Sequence, residues 1–262
     1  MAMLAGTGHF IIRHVMSKLP KRGSMLGIAR MSMNWSVEDI LTHLRENNIE
    51  FNKKAADRLR ARNSAYTSKD FFELLGFDDY QDIDFDSSEG CSIIHDMNRP
   101  LPGEYENRFD FVMENGTIEH LFDIKTAVGN IAKAVKVGGL VCHVSPVDAF
   151  NHGFYNFSIN FFNDFYRANG FENHEFYLLR WSANWRQDQN VLFEPLPYTH
   201  EEFFVRADVY ASPYNKLGIG FIAVKKQHFT DTVVPIQAAY DQSLGLPSVL
   251  NRLGGTIPKF DK

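Results

Sequence analysis

The stretch FDFVMENGTIEHLFD, Phe109 to Asp123, decides the fold. Phe109, Phe111 and Val112 form a short apolar run of the kind found in a strand buried on both faces. The run breaks at Asn115-Gly116, a turn-forming pair, and a helix restarts after Glu119-His120. A buried strand that ends so abruptly in polar residues leaves its sheet at the rim of a pocket. There Gly116 permits both a tight turn and the close approach of a ligand to the backbone.

Outward from this stretch, the apolar period switches repeatedly between that of a strand and that of a helix. Ser24 to Met33 (SMLGIARMSM) reads as a short buried strand, and Ser36 caps a helix carrying Val37, Ile40, Leu41 and Leu44 at helical spacing. A helix around Ala55 to Arg62 follows, then one from Ser68 that Gly76 stops. Tyr80 to Asp86 forms a strand ending in carboxylates, and Cys91 to Asp96 a short strand before the proline-bearing loop MNRPLP. Asp123 caps a helix with Ile124, Ala127, Val128, Ile131, Ala134 and Val135 on one face, closed by Gly138-Gly139 and followed by the strand LVCHVSP. A helix from Ser158 to Asn169-Gly170 and the strands HEFYLLRW and LGIGFIAVKK complete the series. Alternating strands and helices predict an α/β fold, a Rossmann-like, doubly wound, mostly parallel sheet whose ligands bind beyond the carboxyl ends of the strands.

Composition excludes several classes. The chain has 262 residues, 44% hydrophobic and 14% aromatic, enough to bury a sizeable core. Net charge is −5, from 27 Lys and Arg against 32 Asp and Glu, with no basic block to track a phosphate backbone, so nucleic acid is not expected as a partner. No apolar run reaches the length of a spanning helix, so no membrane association is expected, and Cys91 and Cys142 are the only cysteines. A cytoplasmic protein is expected. HFIIRHVMSKLPKR, near the start, has neither a clean apolar core nor a small-residue cleavage site and is expected to be an ordinary first helix. Neither the cysteines nor the scattered histidines show a metal-ligand spacing, and no metal is expected.

The run from Arg108 to Val141, RFDFVMENGTIEHLFDIKTAVGNIAKAVKVGGLV, resembles the fourth strand, next helix and fifth strand of class I S-adenosylmethionine-dependent methyltransferases. Val137 stands where that family usually has proline. The resemblance extends over about Ser24 to Lys226 and implies a seven-stranded sheet with an antiparallel last strand. A narrower bacterial methyltransferase-like group is similar at Glu89 to Pro100, Gly116 to Phe122 and His152 to Ser158. The chain reads as one domain over residues 1–227, with an insert at 182–216 between the last two strands, a long loop expected to set acceptor specificity, and a C-terminal arm at 228–262. That arm would pack on the body or on a second subunit in a homodimer.

S-adenosylmethionine is the implied cofactor. A carboxylate ending the second strand can accept both ribose hydroxyls, which makes Asp84 the candidate, with Asp82 and Asp86 as register alternatives. Asp96 matches the position that receives the adenine amino group, and Asn115 and Gly116 would line the wall near the methionine part. The family's glycine-rich turn is replaced by Gly27-Ile28-Ala29-Arg30-Met31-Ser32, where Gly27 survives, Ala29 is a small substitute and Arg30 could pair with the cofactor carboxylate. Methyl transfer to oxygen or nitrogen often needs a base, and His120 and His152 follow the fourth and fifth strands. Phe154, Tyr155 and Phe157 precede the helix cap and would lid the pocket, with Phe154 and Tyr155 against a small hydroxylated or sugar-like acceptor. His143, inside a strand, is expected to be a core histidine. The competing expectation is a non-catalytic binding or scaffold protein that keeps the fold without the glycine-rich turn.

Overall fold

The computed structural model describes residues 2–19, 21–62, 64–149, 151–181, 192–196 and 216–238. In chain order the elements are β1 (Ala2–Leu4), α1 (Ala5–Phe10), β2 (Ser24–Ile28), β3 (Ser32–Asn34), α2 (Val37–Glu46), α3 (Lys53–Ala61), α4 (Ser68–Leu74), β4 (Asp79–Asp84) and β5 (Ile93–Ile94). These are followed by β6 (Phe109–Asn115), α5 (Ile124–Ala134), β7 (Val135–Pro146), α6 (Ile159–Ala168), β8 (Phe171–Trp181), β9 (Leu192–Leu196) and β10 (Lys216–Lys225). The main sheet has the order β5-β4-β2-β6-β7-β10-β8-β9. The pairs from β5 to β7 are parallel, and β10 runs antiparallel to both neighbours. Without its edge strand β9, this is a seven-stranded sheet, mostly parallel, with an inserted antiparallel last strand, as expected from the sequence. β9 adds an eighth strand, antiparallel to β8, from within residues 182–216. The rest of that insert, and residues 239–262 of the C-terminal arm, lie outside the described residues.

Strand alternation divides the core between the two faces of the sheet. Met25, Phe111, Met113, Leu140 and Cys142 face the layer made by α1 to α4, where Phe10, Ile40, Leu41, Leu59, Phe71 and Phe72 are buried. Leu26, Val112, Val141 and Phe221 face α5 and α6, which supply Val128, Ile131, Phe162, Phe165 and Tyr166. Caps fix several helix starts: Ser36 Oγ accepts from the Asp39 amide, Asn52 from Ala55 and Asp123 from Thr126. At the amino-terminal edge of β2 and β6, Asp110 accepts the Ser24 amide and hydroxyl, both at 2.9 Å, and the Lys136 ammonium at 3.1 Å.

Two sequence expectations change. Ser24 to Met33 is not one strand: Ala29 turns the chain with φ 66°, and β3 pairs instead with β1 in a separate two-stranded parallel sheet. The helix of the opening motif ends at Ala134 without a glycine cap, because Val135 already begins β7 and Gly138-Gly139 lie within that strand. The Lys225 ammonium, buried on β10, reaches the carbonyls of Ala132, Lys133 and Val135 and satisfies the helix end in place of a glycine turn. Among the described residues, no helix is long and apolar enough to cross a membrane.

Candidate functional site

The carboxyl ends of β2, β4, β5, β6 and β7 bring most of the candidate residues to one edge of the sheet. Asp84 ends β4; its carboxylate accepts the Phe85 amide at 2.7 Å and the Arg30 amide at 3.3 Å, and the residue is half-buried. Its register partner Ile94 is 63% exposed and the adjoining Phe85 71% exposed, so two apolar side chains flank a carboxylate with acceptor capacity to spare. Asp96, after β5, accepts the Asn98 amide and side chain through Oδ1, and these hydrogen bonds hold its carboxyl below the ordinary range.

Asp82 is spent internally. It is fully buried and bound bidentately by Arg30, with Nε at 2.5 Å and Nη2 at 2.9 Å, and it also accepts from Ser92 and Tyr80. Arg30 donates further to the Gly90 carbonyl, so its guanidinium is committed to the protein. At Gly27, a Cβ would lie 2.9 Å from the Tyr80 hydroxyl, so the glycine makes room for this buried group. Asn115 donates to the Met31 sulfur at 3.2 Å and accepts from Thr7 at 3.4 Å, and all three side chains are buried. The candidate residues therefore meet two different surroundings: Asp84, Phe85, Ile94 and Asp96 are reached by solvent, whereas Thr7, Met31 and Asn115 are buried against one another and Arg30 faces Asp82.

A second constellation lies at the ends of β6 and β7. Gly116 turns with φ 70°, as its place after the strand requires, and a short 3₁₀ turn, Ile118–His120, then presents Glu119 inward. Below it, buried Glu114 takes the amides of Thr117 and Ile118 on one oxygen and the Ser145 hydroxyl and His143 Nδ1 on the other. His143 is fully buried, with Nε2 2.5 Å from the Tyr166 hydroxyl, and forms part of the core as its strand position implied. Glu119 is 1% exposed, and its Oε2 has no hydrogen-bond partner among the described residues. Burial, helped by the neighbouring Glu114 carboxylate, pushes the Glu119 carboxyl up to about 8.

His120 and His152 sit over that carboxyl. Their rings are 4.9 Å apart, and their Nε2 atoms are 4.0 and 3.5 Å from Glu119 Oε1. Burial, and secondarily His152, lowers the His120 imidazole below its ordinary value. The loop carrying His152 is tied down by the Phe154 and Tyr155 amides, both donating to the Glu119 carbonyl, and by Gly153, where a Cβ would lie 2.6 Å from that oxygen. Phe154, 63% exposed, meets Phe122, 72% exposed, edge to face at 5.3 Å, while the Tyr155 hydroxyl donates to the Phe122 carbonyl. Sequence reasoning named both histidines and both loop aromatics but missed Glu119 and Phe122. The signal for Glu119 was a carboxylate beside a histidine just beyond a buried strand; nothing in the sequence showed that it would point inward.

No protein-family model matches the sequence, and no curated protein matches it. Solved structures match the chain at low identity and with TM-scores below 0.5. An S-adenosylmethionine-dependent methyltransferase from Archaeoglobus fulgidus is 11% identical, with 84% of this chain and 93% of that chain covered and a TM-score of 0.45. The YcgJ protein from Bacillus subtilis is 12% identical over 84% of this chain and 99% of its own, with a TM-score of 0.43. Phosphoethanolamine N-methyltransferase 2 from Haemonchus contortus, solved with S-adenosyl-L-methionine, is 12% identical over 85% of this chain and 56% of its own, with a TM-score of 0.40. At such distances no residue role transfers, and the site rests on its own geometry.

Proposed function

We propose that the chain is an S-adenosylmethionine-dependent methyltransferase acting on a small hydroxylated or sugar-like acceptor, at oxygen or nitrogen. The observation that carries this reading is the convergence, on one edge of a mostly parallel sheet, of a nucleoside-compatible carboxylate, Asp84, and the Glu119, His120 and His152 cluster under exposed aromatics. Asp84 would hold the ribose diol, with Phe85 and Ile94 against the base and Asp96 at its amino group. Asn115 and Gly116 would border the methionine part. The cofactor supplies an electrophilic methyl group when bound. The chain's own contribution is to hold an acceptor against Phe122, Phe154 and Tyr155, exclude water there, and bring its hydroxyl or amine to His120 and His152.

A second reading, a non-catalytic binder that keeps the fold, draws on a specific observation. The Arg30–Asp82 pair and the Thr7, Met31 and Asn115 contacts commit to the protein itself the side chains that would border the amino-acid half. Calorimetric titration with S-adenosylhomocysteine and with adenosine separates the two readings. Binding of S-adenosylhomocysteine with clearly higher affinity than adenosine supports the methyltransferase; binding of adenosine alone supports the binder; binding of neither removes both.

A further inference from the structure

Glu119, His120 and His152 come from two loops and offer donor atoms that all lie within 4.8 Å of one another. Four-coordinate zinc, with bonds of about 2.0 to 2.1 Å, sets neighbouring donors roughly 3.3 Å apart. His152 Nε2 is already 3.5 Å from Glu119 Oε1 and His120 Nε2 4.0 Å, so rotation of the two imidazoles, 39% and 49% exposed at their side chains, is enough to close the set. Two imidazoles and one carboxylate suit zinc and its first-row neighbours, whereas magnesium and calcium prefer oxygen ligands throughout.

Two further observations point to a ligand. Glu119 Oε2 is buried with no hydrogen-bond partner among the described residues, which is unusual for an interior carboxylate. The His152 loop is also fixed to the same residue: the amides of Phe154 and Tyr155 both donate to the Glu119 carbonyl, and Gly153 lets the backbones touch. Such support preorganises the donors.

We infer that Glu119, His120 and His152 form a binding site for a divalent transition-metal ion of the zinc class. The carboxylate is its buried ligand and the two imidazoles are its outer ligands. Coordination stays open on the solvent side, beside Phe122 and Phe154. A site with three protein ligands and an open position is of the catalytic type. An acceptor hydroxyl taking that position is ionised more readily, its proton leaving to water, so the imidazoles act on the acceptor oxygen through the ion. This part rests on the proposed methyltransferase reading; the site itself does not.

The test uses the full chain, stripped with chelator and titrated with Zn²⁺ against a chromophoric competitor. One equivalent is expected to bind, with Glu119→Gln, His120→Ala and His152→Ala each weakening it roughly tenfold or more, given the 10- to 100-fold losses seen even for supporting residues. His95→Ala, remote from the cluster in sequence and hydrogen-bonded to the Arg99 carbonyl, should leave it unchanged. His152 is exposed, so His152→Ala keeps the test usable if Glu119→Gln does not fold. No stoichiometric binding, or equal affinity in a folded His152→Ala variant, overturns the inference. S-adenosylhomocysteine titrated into the same samples reports separately on the methyltransferase reading, so zinc without cofactor binding sinks only that reading, and cofactor binding without zinc sinks only the metal site.

Discussion

Ala29 shows how a single non-glycine residue can hold a left-handed turn at the end of a strand. It is buried, with φ 66°, and its amide still donates to the Ile83 carbonyl at 2.8 Å. The left-handed region costs an L-residue about 1 to 2 kcal/mol. Ala29→Gly removes that strain but loses a buried methyl, worth about 0.8 kcal/mol, and adds backbone freedom to the unfolded chain worth about 0.5 to 1 kcal/mol. The terms nearly cancel, and denaturant melts should find the variant within about 1 kcal/mol of the parent. A β-branched side chain gains no such compensation, so Ala29→Val is expected to lose about 2 kcal/mol or more. Equal stability of all three proteins would contradict the strained turn.

At the scale of elements, the loop after β7 and the edge of β2 and β6 carry distinct tests. Gly153→Ala places a methyl 2.6 Å from the Glu119 carbonyl oxygen and 2.9 Å from the Cγ of the same buried residue, and the nearer of the two is backbone. A cost of about 1 to 3 kcal/mol is expected, together with faster proteolysis within residues 147–157; an unchanged melting temperature and digestion pattern would show that the loop is not docked. At the other edge, burial alone would raise the Asp110 carboxyl, but the Ser24 amide and hydroxyl and the Lys136 and Lys21 ammonium groups outweigh it and bring it down to about 2. A carboxyl depressed in the folded state contributes its full stability above the unfolded value of about 4 and loses it as pH falls toward 2. Asp110→Asn should therefore flatten the stability curve across that acid window, and an unaltered acid limb would show that the cluster does not act as a clamp.

Over the whole molecule, the succession of strands and helices was legible because apolar period and turn chemistry agree at most elements, from the Ser36 cap to the Asn169-Gly170 stop, whereas the antiparallel last strand was expected only from the resemblance. What escaped the sequence depends on contacts between distant segments. Arg30 is committed by Asp82, which lies 52 residues away, and Lys225 closes a helix that ends 91 residues earlier. The pairing of β1 with β3 leaves no local trace. In the site, His120 and His152 follow strand ends and could be named from position alone, whereas the inward turn of Glu119 depends on the 3₁₀ turn and on the His152 loop docking to its carbonyl.

The central claim is that the edge formed by β4, β5 and β6 binds an S-adenosyl cofactor through Asp84. Calorimetric titration of S-adenosylhomocysteine into the parent chain and into folded Asp84→Ala tests it most directly. The carboxylate would make two charge-assisted hydrogen bonds to the ribose diol, each worth about 1.5 to 3 kcal/mol. Saturable one-to-one binding by the parent and a loss of roughly tenfold or more in Asp84→Ala are expected. No detectable heat at millimolar ligand, or equal affinity in the two proteins, would contradict the account.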